Sequence, residues 1–191
     1  MRALDMGVEA LRAEYRSLAR YTMPDVTYEA FKLNHEAGRN RYQDVPCQDQ
    51  HRVVITWPGA PCDYIHANYV GTPISDKRFI CTQVGPLDGT IPEFWMMVLQ
   101  EQSETIIMLC NCIETGKFKC AEYWPSQMRP MSPDEPSVVV SILFIKFTKP
   151  DGTTEQREVR HYQWQDWPDR GVPPCRLTTM KECKQGRNVQ P

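Results

Sequence analysis

The segment "WQDWPDRGVPP", Trp164–Pro174, sets Asp169 on a loop stiffened by Trp167, Pro168 and the pair Pro173-Pro174. A carboxylate held on so stiff a loop can act as an acid or base, or it can cap the turn that Arg170-Gly171 completes. Cys110 and Cys112 in "MLCNCI" are the closest cysteine pair. C-x-C inside an apolar strand would place both thiols on one sheet face, without the C-x2-4-C knuckles of structural zinc sites. Buried structural thiols and no metal are therefore expected. Eight cysteines in 191 residues, with no export signal, should also stay reduced rather than build a disulfide framework.

The charge balance narrows the partners. The 22 basic and 24 acidic residues leave a formal charge of -2 with no block of like charge, so neither nucleic acid nor a membrane surface is an expected partner. Arg2, Asp5, Glu9, Arg12, Glu14 and Arg16 break up the N-terminus, and no later run reaches about 18 apolar residues, which points to a cytoplasmic chain. With 41% apolar residues, the length suits one core.

The elements that would position these groups follow from periodicity. Leu4, Val8, Leu11, Tyr15 and Leu18 recur at helical spacing and predict an amphipathic helix over 5–20, broken at Pro24. A loop over "RNRYQDVPCQDQ" leads to a strand at 52–56, and "DYIHANYV" and "KRFICTQ" read as further strands. Thr90-Ile91-Pro92-Glu93 has capping-box spacing and predicts a helix over 91–102. "ETIIMLC" is a continuous apolar run of the kind found in a doubly covered central strand. "SVVVSILFIKF" and "EQREVRHYQW" predict a hairpin turning at Asp151-Gly152, and the four prolines of "YWPSQMRPMSPDEP" predict a surface loop before it. Helices set apart from a run of strands make the class α+β or α/β.

"RNRYQDV" (39–45), "DYIHANYV" (63–70), "ICTQVGPL" (80–87), "EFWMMV" (93–98), "IETGKFKCAEYWP" (113–125) and "WPDRGVP" (167–173) stand in the order and spacing of the classical protein tyrosine phosphatase domain. The chain resembles that family over 7–174, with a divergent tail over 175–191, and its N-terminal segment is similar in style to nematode members. The resemblance implies an α/β-type phosphatase fold, a twisted mixed sheet flanked by helices, incomplete at the C-terminus. It implies Asp169 as general acid for the tyrosine oxygen, on a closing loop supported by Trp167 and Pro168. Tyr42 would stack on the phosphotyrosine ring, Asp44 would hold the substrate backbone, Lys119 would lie near the acid loop, and Glu114 would pair with the phosphate-loop arginine. Gln83 would position the hydrolytic water, although "TQVGP" carries Val84 as an insertion in the family's "TQGP". The implied partners are phosphotyrosine proteins or peptides, and no cofactor is needed.

The family's nucleophile and phosphate cradle come from H-C-x5-R, a low-pKa cysteine at a helix N-terminus followed by an arginine. Six places after the eight cysteines stand Val53, Asn68, Leu87, Gly116, Phe118, Ser126, Lys181 and Val189, so no cysteine here has that arginine. The expectation is a phosphatase-family polypeptide that is inactive as written, with a noncatalytic phosphotyrosine-binding module or a scaffold fragment as alternatives. Because the absent strand lies mid-sheet in the family, an exposed apolar face and reduced stability are expected too.

Overall fold

The computed structural model describes residues 5–19, 21, 24–83, 85–125, 129–132, 135–149, 151–168 and 171–173. The expected tail at 175–191, Asp169 and Val84 lie outside the described residues. Helix α1 (Gly7–Ala19) forms where the periodicity places it. Its apolar stripe is uncovered, with Val8, Tyr15 and Leu18 all more than half exposed. A seven-residue helix α2 (Glu29–His35), which periodicity does not announce, follows Pro24. Its first turn is capped from a distance, since the Glu29 and Ala30 amides donate to the Asp49 carboxylate at 2.6 and 3.0 Å.

Strands β1 (Arg52–Val54), β2 (Tyr64–Thr72) and β3 (Ser75–Thr82) form an antiparallel sheet in the order β1-β2-β3. Helix α3 (Ile91–Gln100) comes next. Strand β4 (Thr105–Met108), the short pair β5 (Ile113–Glu114) and β6 (Lys117–Phe118), and strands β7 (Arg129–Ser132), β8 (Glu135–Thr148) and β9 (Thr154–Trp164) complete the chain. The second sheet runs β4-β9-β8-β7, with β4 parallel to β9 and the other pairs antiparallel. The class is thus α+β with a mixed sheet, as expected. The β8–β9 hairpin closes at its predicted turn. Gly152 takes φ 83°, and the Asp151 carboxylate accepts from the Thr153 amide at 2.9 Å.

One core joins the two larger sheets through α3. Phe94, Met97 and Val98 pack with Val53, Ile55, Ile65 and Ala67 on one side and with Met108, Leu143 and Val159 on the other. Along β9, Val159, His161 and Gln163 are buried in alternation, the period-2 signature of a sheet with one covered face. The opposite face carries Ile107, Ile142 and Phe144, each more than half exposed.

Three local expectations are corrected. The run containing Ile106 and Ile107 is an edge strand among the described residues, not a central one, because it pairs only with β9. The proline-rich stretch before β8 contains strand β7, whose Pro130 lies opposite Val139 at the sheet edge, where a missing N–H is tolerated. The capping box at Thr90 does not form. Thr90 instead closes the 3-10 turn Asp88–Thr90 by accepting from the Leu87 amide at 2.9 Å, and Glu93 turns inward to Arg39.

Candidate active-site surface

The loop carrying Tyr42 is built by pinning each residue before it. The Arg39 guanidinium donates to the Glu93 carboxylate at 2.6 Å, and Glu93 is only 1% exposed. That hydrogen bond raises the Arg39 pKa and so favours the charged guanidinium. Asn40 donates to the Phe31 carbonyl at 2.8 Å and accepts from the Tyr64 hydroxyl at 2.6 Å. The Arg41 amide donates to Gln83 Oε1 at 2.8 Å, Gln83 Nε2 donates to the Arg39 carbonyl at 3.2 Å, and Arg41 Nη2 reaches the Pro86 carbonyl at 3.3 Å. Farther along, a His66 ring nitrogen lies 2.8 Å from the Val45 carbonyl.

On this base Tyr42 is left 37% exposed, and Asp44 is exposed two residues on. Lys119 Nζ donates to the Tyr42 hydroxyl at 3.2 Å and sits 5.8 Å from the ring centroid. The structure therefore brings Tyr42 and Lys119 together from positions 77 residues apart. An aromatic face beside an ammonium suits a ligand that is both aromatic and anionic.

Lys119 follows the β5–β6 hairpin, whose other strand holds Glu114. The Glu114 carboxylate accepts from the Asn111 amide at 3.0 Å, and Asn111 Nδ2 donates to the Gln165 carbonyl at 2.7 Å. A shallow cleft is lined there by Asn111, Glu114, Gln165, Asp166, Trp167 and Pro168. Beyond Gln165 the bonds among the described residues are mostly local. The Trp164 indole donates to Asp166, Trp167 Nε1 donates to the Gly171 carbonyl at 3.3 Å, and the Gly171 amide donates to the Pro168 carbonyl at 3.1 Å. A Cβ on Gly171 would stand 2.6 Å from Pro168 Cγ, so this closure requires glycine. Asp169, the expected acid, is outside the described residues. Glu114, Trp167 and Pro168 meet at one cleft, and the hairpin links that cleft to Lys119 and Tyr42.

Sequence reasoning missed Arg39, Asn40, Arg41, Glu93 and Asn111, all of which hold the site in place. One signal was available: Glu93 is a lone charge on the buried side of the apolar helix "IPEFWMMVLQ". The cysteine reading also changes. Strand β4 ends at Met108, so Cys110 and Cys112 lie past it, half-buried in the turn before β5, rather than on a strand face.

The family model for protein-tyrosine phosphatase matches residues 36–191. The chain is 38% identical over 173 residues to a tyrosine-protein phosphatase Lar-like of Caenorhabditis elegans, covering 85% of this chain and 8% of that protein. It is 37% identical over 168 residues to human receptor-type tyrosine-protein phosphatase eta, covering 84% of this chain and 12% of that one. The catalytic domain of human protein tyrosine phosphatase non-receptor type 18 superposes with a TM-score of 0.74 at 27% identity, over 87% of this chain and 62% of the other. The chain belongs to the protein-tyrosine phosphatase family, of whose domain it is a fragment. It spans roughly a tenth of the length of the curated relatives named here. A second structure of the type 18 phosphatase, in complex with HER2 phosphor-peptides, aligns with a TM-score of 0.72 at 26% identity over 96% of this chain and 69% of that one. Among the described residues, no helix is long and apolar enough to cross a membrane.

Proposed function

We propose that this chain supplies the substrate-recognition and acid-loop portion of a phosphotyrosine phosphatase, and that the 191-residue polypeptide by itself does not hydrolyse phosphate esters. The observation that carries the reading is the meeting of Tyr42 and Lys119 on an anchored loop, one hairpin away from the cleft of Glu114, Trp167 and Pro168. In this reading Tyr42 stacks on the phosphotyrosine ring, Lys119 faces its negative charge, and Asp44 holds the peptide backbone. Trp167 and Pro168 frame the loop that presents Asp169, whose carboxylic acid protonates the departing tyrosine oxygen. Glu114 belongs to the same cleft and supports that loop. Gln83, assigned by resemblance to the hydrolytic water, has its carboxamide engaged at both ends by the backbone of Arg39 and Arg41, and so acts first as the residue that positions the recognition loop.

Inactivity follows from the absence of any cysteine with an arginine six places on, because neither nucleophile nor phosphate cradle is then supplied. A pseudophosphatase role, binding cytoplasmic phosphotyrosine peptides without turnover, is the second reading, and the same Tyr42–Lys119 contact supports it. The test is titration with a phosphotyrosine peptide and its unphosphorylated twin. Saturable binding on the order of 1 mM, specific to the phosphopeptide and lost in Tyr42→Ala, is expected. Equal binding of both peptides would remove the recognition reading.

A further inference from the structure

The two larger sheets end in β1 and β3, and in β4 and β7. Among the described residues, all of these edges except β4 are defended. Strand β1 is only three residues long. Strand β3 carries the exposed charges Asp76, Lys77 and Arg78, and β7 holds Pro130 beside a break in register. Charges, prolines, bulges and shortness keep a row of unpaired N–H and C=O groups from joining another chain. In β4, Thr105-Ile106-Ile107-Met108 is uncharged, free of proline and in unbroken register with β9.

The pairing with β9 fixes where the β4 backbone groups point. The Arg160 amide donates to the Glu104 carbonyl at 2.9 Å, and Arg160 lies opposite Thr105 in the parallel ladder. In a parallel pair a residue bonds to those on either side of the one it faces. Glu104, Ile106 and Met108 therefore turn their groups to β9, and Thr105 and Ile107 turn theirs to the open edge. The Ile107 side chain is 63% exposed on the uncovered face, whereas Met108 is buried on the covered one.

We propose that β4 is an interface between two copies of this chain, paired antiparallel about a two-fold axis that passes beside Ile107. With Ile107 opposite Ile107 of the second copy, and Thr105 opposite Leu109, the outward N–H and C=O groups meet as in the hydrogen-bonded pairs of an antiparallel ladder. The same register sets Ile107 against its counterpart on the uncovered face and Met108 against Ile106 on the covered one, so both sheets keep their covered faces on the same side. A slip of one residue would oppose the outward groups to groups already held by β9. The segment from Thr105 to Leu109 contains no charge, so no like charges meet across the axis. It is its own complement, apolar and centred on a residue whose bonding groups are open, and the isologous contact closes at two copies.

Strand β4 leads through Cys110 into Asn111, which bonds to Gln165 and Glu114. Pairing of the two copies therefore braces the strand that carries the foot of the loop around Trp167. The interface does not rest on the phosphotyrosine reading of the Tyr42 surface, and either stands if the other falls.

The test is sedimentation equilibrium of the intact chain between about 1 and 100 μM, with backbone amide exchange followed by NMR over the same range. A reversible monomer–dimer equilibrium is expected. The Thr105 and Ile107 amides should gain protection as the dimer fills, while those of Ile106 and Met108, already bonded to β9, change little. Ile107→Lys sets two ammonium groups against each other at the axis and should weaken the dimer about tenfold or more. Phe144→Lys, on the same uncovered face but on β8, should leave the dimer unchanged. A monomer throughout the range overturns the proposal, as does growth beyond the dimer. Equal weakening by Phe144→Lys and Ile107→Lys overturns it too, because the copies would then stack by their faces. Should Ile107→Lys fail to fold by circular dichroism, the wild-type exchange pattern gives the answer, and a dimer with Ile107 exchange unchanged overturns the edge pairing.

Discussion

The loop around Tyr42 and the loop around Trp167 are held in opposite ways. The first is bonded to remote elements: Arg39 to α3, Asn40 to α2 and β2, Arg41 to the segment after β3, and Val45 to β2. The second is anchored at its foot, where Gln165 meets Ser137 and Asn111, and beyond that the side-chain and loop bonds among the described residues join Trp164 to Asp166, Trp167 to Gly171 and Gly171 to Pro168. Under the proposed function, the Tyr42 surface gains from fixed geometry, because a pre-positioned aromatic loses little freedom on binding. Under the proposed function, a loop that carries an acid over a substrate gains from local closure, since a segment bonded chiefly within itself among the described residues can move as a unit.

The sharpest way to break this contrast is Arg39→Ala. It leaves the Glu93 carboxylate buried without its ion-pair partner and should cost about 3–5 kcal/mol, read as a lower denaturant midpoint at unchanged slope. A near-neutral result would mean the recognition loop is not anchored through that pair.

Acid should act next, at the foot of the second loop. His161, on β9, accepts from or donates to the Tyr123 hydroxyl at 2.7 Å, stacks on Trp124, and burial pulls its pKa down to about 4. A buried neutral histidine binds its proton less readily than the unfolded chain does. Its contribution is therefore intact above about pH 6.5 and declines as pH falls toward 4, on the order of 3 kcal/mol in total. Urea midpoints between pH 7.5 and 4.5 should show this decline, and His161→Gln should flatten it.

Gly171→Ala should be milder, near 1 kcal/mol or less globally. The added methyl meets Pro168 Cγ on the self-bonded loop, so the change should appear in Trp167 fluorescence while leaving the Tyr42 region intact. Tyr42→Ala should be smallest for stability, within about 0.5 kcal/mol, because the ring projects from its loop. Under the proposed function its effect belongs to phosphopeptide binding.

The fold was legible where the interactions are local. The Asp151-Gly152 turn, the period-2 alternation of β9 and the apolar face of α3 are written in neighbouring residues. Helix α2 was not, because its cap is Asp49, some twenty residues away. Glu93 was misread as a capping partner, since only the tertiary structure places Arg39 within its reach. The apolar run of β4 has the composition of a doubly covered strand, yet Ile107 lies 63% exposed at a sheet edge. Tyr42, Lys119, Glu114, Trp167 and Pro168 were named through family motifs, and the structure brings them into two linked clusters, the geometry on which the proposed site rests. The supporting Arg39, Asn40 and Asn111 were not, because their work is done by contacts distant in sequence.

Release of inorganic phosphate from an aryl phosphate by the purified 191-residue polypeptide tests the central claim most directly. The account predicts no release above the uncatalysed background. Steady release that disappears in Asp169→Asn would contradict it, for the chain would then possess a nucleophile and cradle that its cysteines and arginines do not form by the family's pattern.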